Sequence, residues 1–248
     1  MPEQGRTCFP EVVKGMSISV ILPTYNEAKN ILPLIERILE VIPQNQEMEI
    51  IVVDDNSPDG THQIVQNRFS SQKSVRCLLR TKNKGFANSI REGINAASGE
   101  VVIVMDSDFT HEPEEIPKML HIEKTFDLVS GSRFCAGGNM QDKMHYLASF
   151  CFNLFLRIIL KTQIQDNLGG FFCIQKKKLK ELPLKKIFYG YGDYFFRLLF
   201  HAEKKGYTIV EIPCLYMKRK KGRSKSNWLK MIFLYFTEAF KLKMWHDK

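Results

Sequence analysis

The sequence predicts an α/β fold built on an open, mostly parallel sheet flanked by helices. Three observations carry this. Short apolar runs alternate with helical patterns from residue 17 to residue 131. The runs are about five residues long and apolar throughout, which suits parallel strands buried on both faces. Acidic and polar residues gather just beyond the runs, where an open α/β sheet keeps its ligand crevice.

The elements follow in order. Residues 18–22 are an apolar run ended by Pro23. Residues 27–42 have helical spacing, with Ile31, Leu34, Ile35, Ile38, Leu39 and Ile42 recurring on one face. Strand and helix then repeat at 49–53 and 59–69, and again at 75–79 and 85–97, where Ile90 and Ile94 share a face. A fourth strand at 101–105, a helix at 112–124 and a fifth strand at 127–130 complete the series. Repeated βα units imply right-handed crossovers. Beyond Gly131 the alternation breaks down. Residues 144–160 read as a strongly apolar helix, interrupted by Asn153 and Arg157 and short of the ~18–20 uninterrupted apolar residues of a membrane span. Residues 171–175 read as a strand, 193–205 as a helix and 208–212 as a strand ended by Pro213. A basic loop, 218–225, leads into a last helix over 227–245, apolar nearly all round with Lys230, Lys241 and Lys243 interspersed.

Composition narrows the function classes. The chain has 248 residues, 44% apolar and 25% charged, which excludes wholesale disorder and leaves enough for one sizeable core. The net charge of +9 is unevenly spread: residues 1–136 carry 14 basic and 19 acidic side chains, and the remainder carries 22 and 8. An acidic half followed by a basic half points to a polyanionic partner, whether nucleic acid, an anionic membrane or a phosphorylated substrate. Cys8, Cys77, Cys135, Cys151, Cys173 and Cys214 form no CxxC pair and match no zinc module, so they read as reduced, mostly buried hydrophobes. The N-terminus lacks the apolar core of a signal peptide, which predicts a cytosolic chain.

Three strand ends converge on the expected crevice. They are Pro23-Thr24-Tyr25-Asn26-Glu27, Asp54-Asp55-Asn56-Ser57-Pro58-Asp59-Gly60-Thr61 and Asp106-Ser107-Asp108. Two carboxylates spaced as in Asp106-x-Asp108 hold a hard divalent cation that can also bridge a diphosphate. An isolated DxD is more often a solvated turn; its place beyond an apolar strand, beside two other acidic strand ends, argues otherwise. Ser57–Thr61 suits a turn and a helix cap. It leaves Asp54 and Asp55 unexplained, and a carboxylate there can accept hydrogen bonds from a base N–H or a ribose hydroxyl.

The order and spacing of five segments resemble the inverting GT-A glycosyltransferases of family 2. Within that family they are most similar to the dolichol-phosphate (polyprenol-phosphate) mannosyltransferases. The segments are Leu22–Glu27, Val53–Thr61, Met105–Asp108, Ser130–Phe134 and Arg219-x-x-Gly222-x-Ser224-Lys225, spanning most of the chain. The resemblance implies a GT-A catalytic domain over 1–225, with a nucleotide-binding half at 17–134 and an acceptor half at 135–225. It is followed by an amphipathic, membrane-associating helix at 226–248. It also implies that Pro23, Tyr25 and Glu27 line the nucleotide pocket and that Val53 and Asp55 meet the base. Asp106, Ser107 and Asp108 would serve ribose, Mg²⁺ or Mn²⁺ and diphosphate. Arg133, Ser224 and Lys225 would bind the lipid phosphate, and Arg219 with Lys225 would close over the donor; Asp108, Arg133 and Arg219 form the catalytic set. Some positions depart from the family pattern: Thr110 replaces a Gln, Arg223 a Glu and His145 an Arg, whereas His111 matches and reads as a turn residue. The Gly190–Tyr194 segment looks more like that of bacterial relatives found with surface-polysaccharide synthesis.

The activity so implied is transfer of a hexose, first of all mannose from GDP-mannose, to a polyprenyl or dolichyl phosphate. The enzyme would be peripheral, at the cytoplasmic face of an anionic membrane, with a separate membrane subunit as a further partner. UDP-glucose as donor, or a saccharide hydroxyl as acceptor, are the alternatives. A hydroxyl would need a base, for which Asp193 is the downstream candidate. A basic nucleic-acid-binding protein is the non-enzymatic reading. It is disfavoured by the acidic strand ends and by the absence of helix-turn-helix, zinc-finger and RNP signatures.

Overall fold

A computed structural model describes residues 16–43, 45–217 and 228–246. The first half follows the expected alternation: β1 (Ile18–Thr24), α1 (Ile31–Val41), β2 (Met48–Asp54), α2 (Thr61–Arg68), β3 (Val75–Leu79), α3 (Phe86–Ala96), β4 (Val101–Val104), α4 (Ile116–Ile122) and β5 (Leu128–Ser132). The helix expected over 112–124 is shorter, because Pro113 opens a 3₁₀ turn over Pro113–Glu115 and Pro117 sits in the first turn of α4. A ring nitrogen without N–H belongs at such helix starts and not inside a helix.

The second half comprises β6 (Asn139–Met140), α5 (Lys143–Leu160), β7 (Phe172–Gln175), α6 (Lys176–Lys180), α7 (Leu184–Ile187), α8 (Tyr194–Lys204), β8 (Ile209–Pro213), β9 (Leu215–Tyr216) and α9 (Trp228–His246). The main sheet has seven strands in the order β3-β2-β1-β4-β7-β5-β8. β7 enters antiparallel between β4 and β5, and the other pairings are parallel. β4 and β5 are therefore separated by a strand that comes later in the sequence. β6 and β9 pair in a small second sheet.

Both faces of the sheet are covered. Val20, Leu22, Ile50, Val52 and Ile103 pack under α1 and α4, and Ile21, Ile51, Val53, Val102 and Val104 pack under α3 and α8. That double burial is why the strands read as unbroken apolar runs. A third cluster joins α5, α8 and α9 through Leu156, Leu160, Phe196, Phe200, Tyr235, Ala239 and Leu242. The outer sides of α5 and α9 remain apolar and open: Met144, Leu147, Phe150, Leu154 and Ile158 on one helix, Phe233, Leu234, Phe240 and Met244 on the other. The 18 residues of α5 are long and apolar enough to cross a membrane, and only 17% of them are buried.

One buried acid lies far from the strand-end crevice. Glu123 caps the end of α4 and is 1% exposed, and neither carboxyl oxygen has a well-formed hydrogen bond. Burial pushes its pKa above the ordinary 4.5, outweighing the opposing pull of Gln175, Lys178 and Lys124. A raised acid pKa favours the folded state while the group is protonated, and that contribution fades as pH rises from the unfolded value through the folded one. Glu123→Gln is therefore expected to raise the thermal midpoint at pH 7 by about 2–4 °C, with the gain shrinking below pH 4.5. Melting curves of both proteins across pH check this.

Candidate functional site

The carboxylates at the strand ends are held in place by short local bonds. Asp54 accepts from Ser57 N at 2.8 Å, Ser57 Oγ at 2.5 Å and Thr24 Oγ1 at 3.1 Å, so it is a structural cap. Ser57 Oγ in turn receives Asn26 N at 2.9 Å, Thr61 Oγ1 receives Glu27 N at 3.0 Å, and Asp59 Oδ2 receives Ala28 N at 3.0 Å. The Ser57–Thr61 segment thus clamps the loop after β1 that carries Tyr25 and Glu27. Asp55 points the other way. Its Oδ1 is paired with Arg80 and accepts from Ser89 Oγ at 2.9 Å, and its Oδ2 accepts from Gly85 N at 2.6 Å. Gly85 has φ +139°, a conformation that side chains rarely adopt, so glycine is required where this amide turns toward the carboxylate.

The turn after β4 is equally constrained. Ser107 Oγ donates to Pro23 O at 2.9 Å, tying the ends of β1 and β4 together. Thr110 approaches Asp108 Oδ1 through its N at 3.0 Å and its Oγ1 at 2.7 Å. Thr110, where the family pattern has Gln, therefore orients Asp108. Phe109 between them adopts φ +65°, a strained conformation for a bulky residue and one that clusters at functional sites. His111 Nδ1 accepts from Asp106 N at 3.0 Å, which leaves the ring proton on Nε2. The imidazole is fully buried, stacked on Phe171 at 5.0 Å and edge-on to Tyr216 at 4.6 Å. Burial, helped by Arg133 and opposed by Asp108, pushes its pKa down to about 4. It stays neutral and shapes the turn.

These ends line one cavity of about 620 Å³. Of the residues expected from the sequence, Pro23, Tyr25, Glu27, Asp55, Asp106, Ser107 and Asp108 lie on its wall. Val53 does not: its side chain is fully buried in the core beneath α3, and its carbonyl accepts from Thr24 Oγ1 at 3.3 Å. Val53 shares its sheet face with Asp55 but sits two residues deeper along the strand, where α3 covers it, so its side chain is off the cavity wall where the sequence predicts it to meet a base. Arg133 lies outside this cavity. It is 5% exposed and bound to Asp166 by three contacts, N–Oδ2 3.0 Å, Nε–Oδ2 2.8 Å and Nη2–Oδ1 2.7 Å, with its guanidinium over the rings of Tyr216 and Phe134. Asp193 is paired with Arg197 and accepts from Tyr191 N at 2.9 Å, so it is a structural anchor and not an available base. Arg219, Ser224 and Lys225 lie outside the described residues; the chain leaves for that segment at Met217, whose N donates to Thr110 O at 3.1 Å.

A second cavity of about 760 Å³, apolar, runs between α5 and α9. Phe152, Phe155 and Phe236 are among its lining residues, together with Arg133 and His145. It meets the first cavity at Leu168, Gly192, Met231 and Tyr235, which line both.

Comparison with known proteins gives the family and the fold. The family model for glycosyl transferase family 2 matches residues 19–183. The chain belongs to glycosyl transferase family 2. A dolichol-phosphate mannosyltransferase of Pyrococcus furiosus is 37% identical over 240 residues, covering 94% of this chain and 65% of that protein. An undecaprenyl-phosphate mannosyltransferase of Micrococcus luteus is 32% identical over 216 residues, covering 85% of this chain and 87% of that protein. This family-2 chain thus spans about two thirds of the archaeal relative and most of the bacterial one. Among solved structures, glucosyl-3-phosphoglycerate synthase of Mycobacterium tuberculosis, in complex with Mn²⁺, UDP and phosphoglyceric acid, has the same fold. It superposes with a TM-score of 0.69 at 18% identity, covering 91% of this chain and 79% of that one.

Sequence reasoning did not single out Lys84 and Tyr235, which line these cavities, or Arg80 and Asp166, which pair with Asp55 and Arg133. Lys84 is the cation on the wall of the first cavity among the described residues. Asp166 is fully buried, and Glu211 holds its segment by accepting Asp166 N at 2.8 Å and Gln165 N at 2.7 Å. Removing one partner of a buried ion pair leaves the other uncompensated. Asp166→Ala is therefore expected to destabilise the protein by about 3–5 kcal/mol, read by urea unfolding.

Proposed function

We propose that the chain transfers a hexose from a nucleotide-diphospho-sugar to a polyprenyl phosphate at a membrane surface. The observation that carries this reading is the union of two unlike cavities. One is walled by acidic and hydroxyl side chains, the other by phenylalanines with Arg133 in its lining. A donor diphosphate with a cation suits the first, and a lipid phosphate suits the second. The names of the relatives, both polyprenyl-type phosphate mannosyltransferases, favour mannose, with GDP-mannose the first donor to test. The exposed apolar sides of α5 and α9 support a membrane-surface location, and the cytoplasmic face is proposed with it.

Asp106 and Asp108 fit a divalent cation. They are hard oxygen donors at the cavity wall, and among the described residues no group of three or more acidic, His or Cys side chains could hold a metal. Two carboxylates suit Mg²⁺ or Mn²⁺ that fills its coordination with substrate phosphates and water. When bound, the cation would supply charge stabilisation to the departing diphosphate. The chain's own residues do the rest. Thr110 and His111 fix the turn that presents both carboxylates. Tyr25, Glu27 and Asp55 hold the nucleoside, and Lys84 adds positive charge at the donor wall. Ser107 keeps the two strand ends in register.

The reaction needs little acid–base help. A phosphate monoester has its second pKa at about 6 and is mostly dianionic at neutral pH. Its oxygen attacks the anomeric carbon from the face opposite the leaving group. The new C–O bond forms as the bond to the nucleoside diphosphate breaks, and the diphosphate departs with the electron pair. No proton has to be removed. A saccharide hydroxyl would need a base, and Asp193 is committed to Arg197. Arg133, with Arg219, Ser224 and Lys225 of the basic segment, would offset repulsion between the two anionic substrates.

The test is transfer from a panel of nucleotide sugars to short-chain polyprenyl phosphate with Mg²⁺ or Mn²⁺. Transfer is expected to stop on chelation and to fall by about 10²–10³ in Asp108→Ala. Full activity in that variant, or transfer to a free sugar and not to the lipid phosphate, would overturn the reading.

A further inference from the structure

The two cavities share a short frontier made of Leu168, Gly192, Met231 and Tyr235. Three of these offer no polar side-chain atom. The phenol of Tyr235 is the one polar side-chain group, among the described residues, that borders both spaces. Whatever passes from one cavity to the other crosses beside it.

Tyr235 is brought there by the C-terminal helix, and its position is over-determined. Its ring packs among Leu156, Phe196 and Ala239, and is 7% exposed. Its oxygen meets the backbone amide of Gly192, and a Cβ added at Gly192 would overlap that oxygen. Three residues further along the same face of α9, Glu238 Oε2 bonds Tyr189 Oη and lies 3.4 Å from Arg197 Nη1. Arg197 is fully buried. It also binds Asp193, Ile187 O and Tyr189 O, so it gathers the whole loop that carries Tyr191 and Gly192 into the first cavity. The same ionic cluster therefore fixes the loop and the helix against each other. Burial raises the Tyr235 pKa, with the Asp193 charge adding to it, so the phenol keeps its proton and remains a donor.

We infer that the Tyr235 hydroxyl donates a hydrogen bond to the acceptor's phosphate where the apolar groove opens into the donor cavity. The inference rests on the proposed lipid-phosphate reaction and adds a residue that no motif indicates. It makes α9 part of the active site and not only a surface helix. A phenol suits this place: it orients a phosphate oxygen without adding charge and without taking a proton that the reaction leaves in place.

The test compares wild type, Tyr235→Phe and Gly192→Ala, with Tyr207→Phe as a control. Tyr207→Phe removes a phenol that binds Lys178 O and Glu181 just before the edge strand β8 and lines neither cavity. Transfer to short-chain polyprenyl phosphate is measured at varied acceptor and saturating donor, and donor binding by calorimetry. Losing a hydrogen bond to a charged group costs about tenfold to a hundredfold. Tyr235→Phe is expected to lose that much in kcat/KM for the acceptor, more than it loses in donor affinity. Gly192→Ala, which displaces the hydroxyl and keeps it, is expected to lose acceptor kcat/KM in the same way, and Tyr207→Phe to match wild type. Wild-type kinetics in Tyr235→Phe would overturn the inference and leave the proposed reaction standing. A loss confined to donor affinity would also overturn it, because the hydroxyl would then serve the donor. A wild-type protein inactive toward polyprenyl phosphate would overturn the reaction and the inference together.

Discussion

Crowding of carboxylates at one end of a sheet is the constraint on which the rest of this structure depends. Asp54, Asp55, Asp108, Asp166 and Asp193 are all buried. Like charges brought together away from water cost too much to leave uncompensated. Each is answered locally, and in a different way. Asp54 takes Ser57 and Thr24, Asp55 takes Arg80, Asp108 takes Thr110, Asp166 takes Arg133, and Asp193 takes Arg197. The answers also build the site. The bonds of Asp54 and Asp59 set the loop after β1, the pair at Asp55 fixes the Gly85 amide, and the pair at Asp193 fixes the loop before α8.

Asp54, Asp166 and Asp193 are spent on architecture, whereas Asp55 and Asp108 also stand on the wall of the donor cavity. Arg133, Arg80 and Arg197 are each committed to an aspartate inside the protein. The cations proposed to meet a substrate anion are Lys84 on the donor wall, Arg133 in the lining of the groove beside its partner Asp166, and the basic residues Arg219 and Lys225. The apolar groove follows from the same economy of charge. α5 and α9 close over it with phenylalanines, and Arg133, His145 and Tyr235 are among its polar lining residues. The two helices show apolar residues both inward to the groove and outward to their open sides, which explains why α5 reads as strongly apolar and α9 as apolar nearly all round.

Much of the first half was legible because βα units are local. Each strand and helix is decided within about 20 residues by apolar spacing, and the C-terminal ends of parallel strands converge by rule. Asp106 and Asp108 could be picked out for that reason. Asp54 and Asp55 could be flagged, but not told apart, since adjacent residues differ only in the face to which they point. Val53 lies on the same face as Asp55, two residues deeper, and α3 buries it. The second half was less legible because β7 pairs antiparallel between β4 and β5, and strands inserted out of order leave no periodic trace.

By itself the sequence determined the α/β class, the family, the strand-end acids and the apolar character of the last helix. All of these rest on local spacing or on contiguous motifs. Only the tertiary structure decided which charges cancel. Arg133 finds Asp166 33 residues away, Arg80 finds Asp55 across 25, and Glu238 approaches Arg197 across 41. Such pairs are chosen by packing and desolvation, and no short-range pattern encodes them. The tertiary structure also turned the final helix from a tail into a wall, because Tyr235 and Met231 reach the cavity only once Glu238 and the aromatic cluster hold α9 against α8.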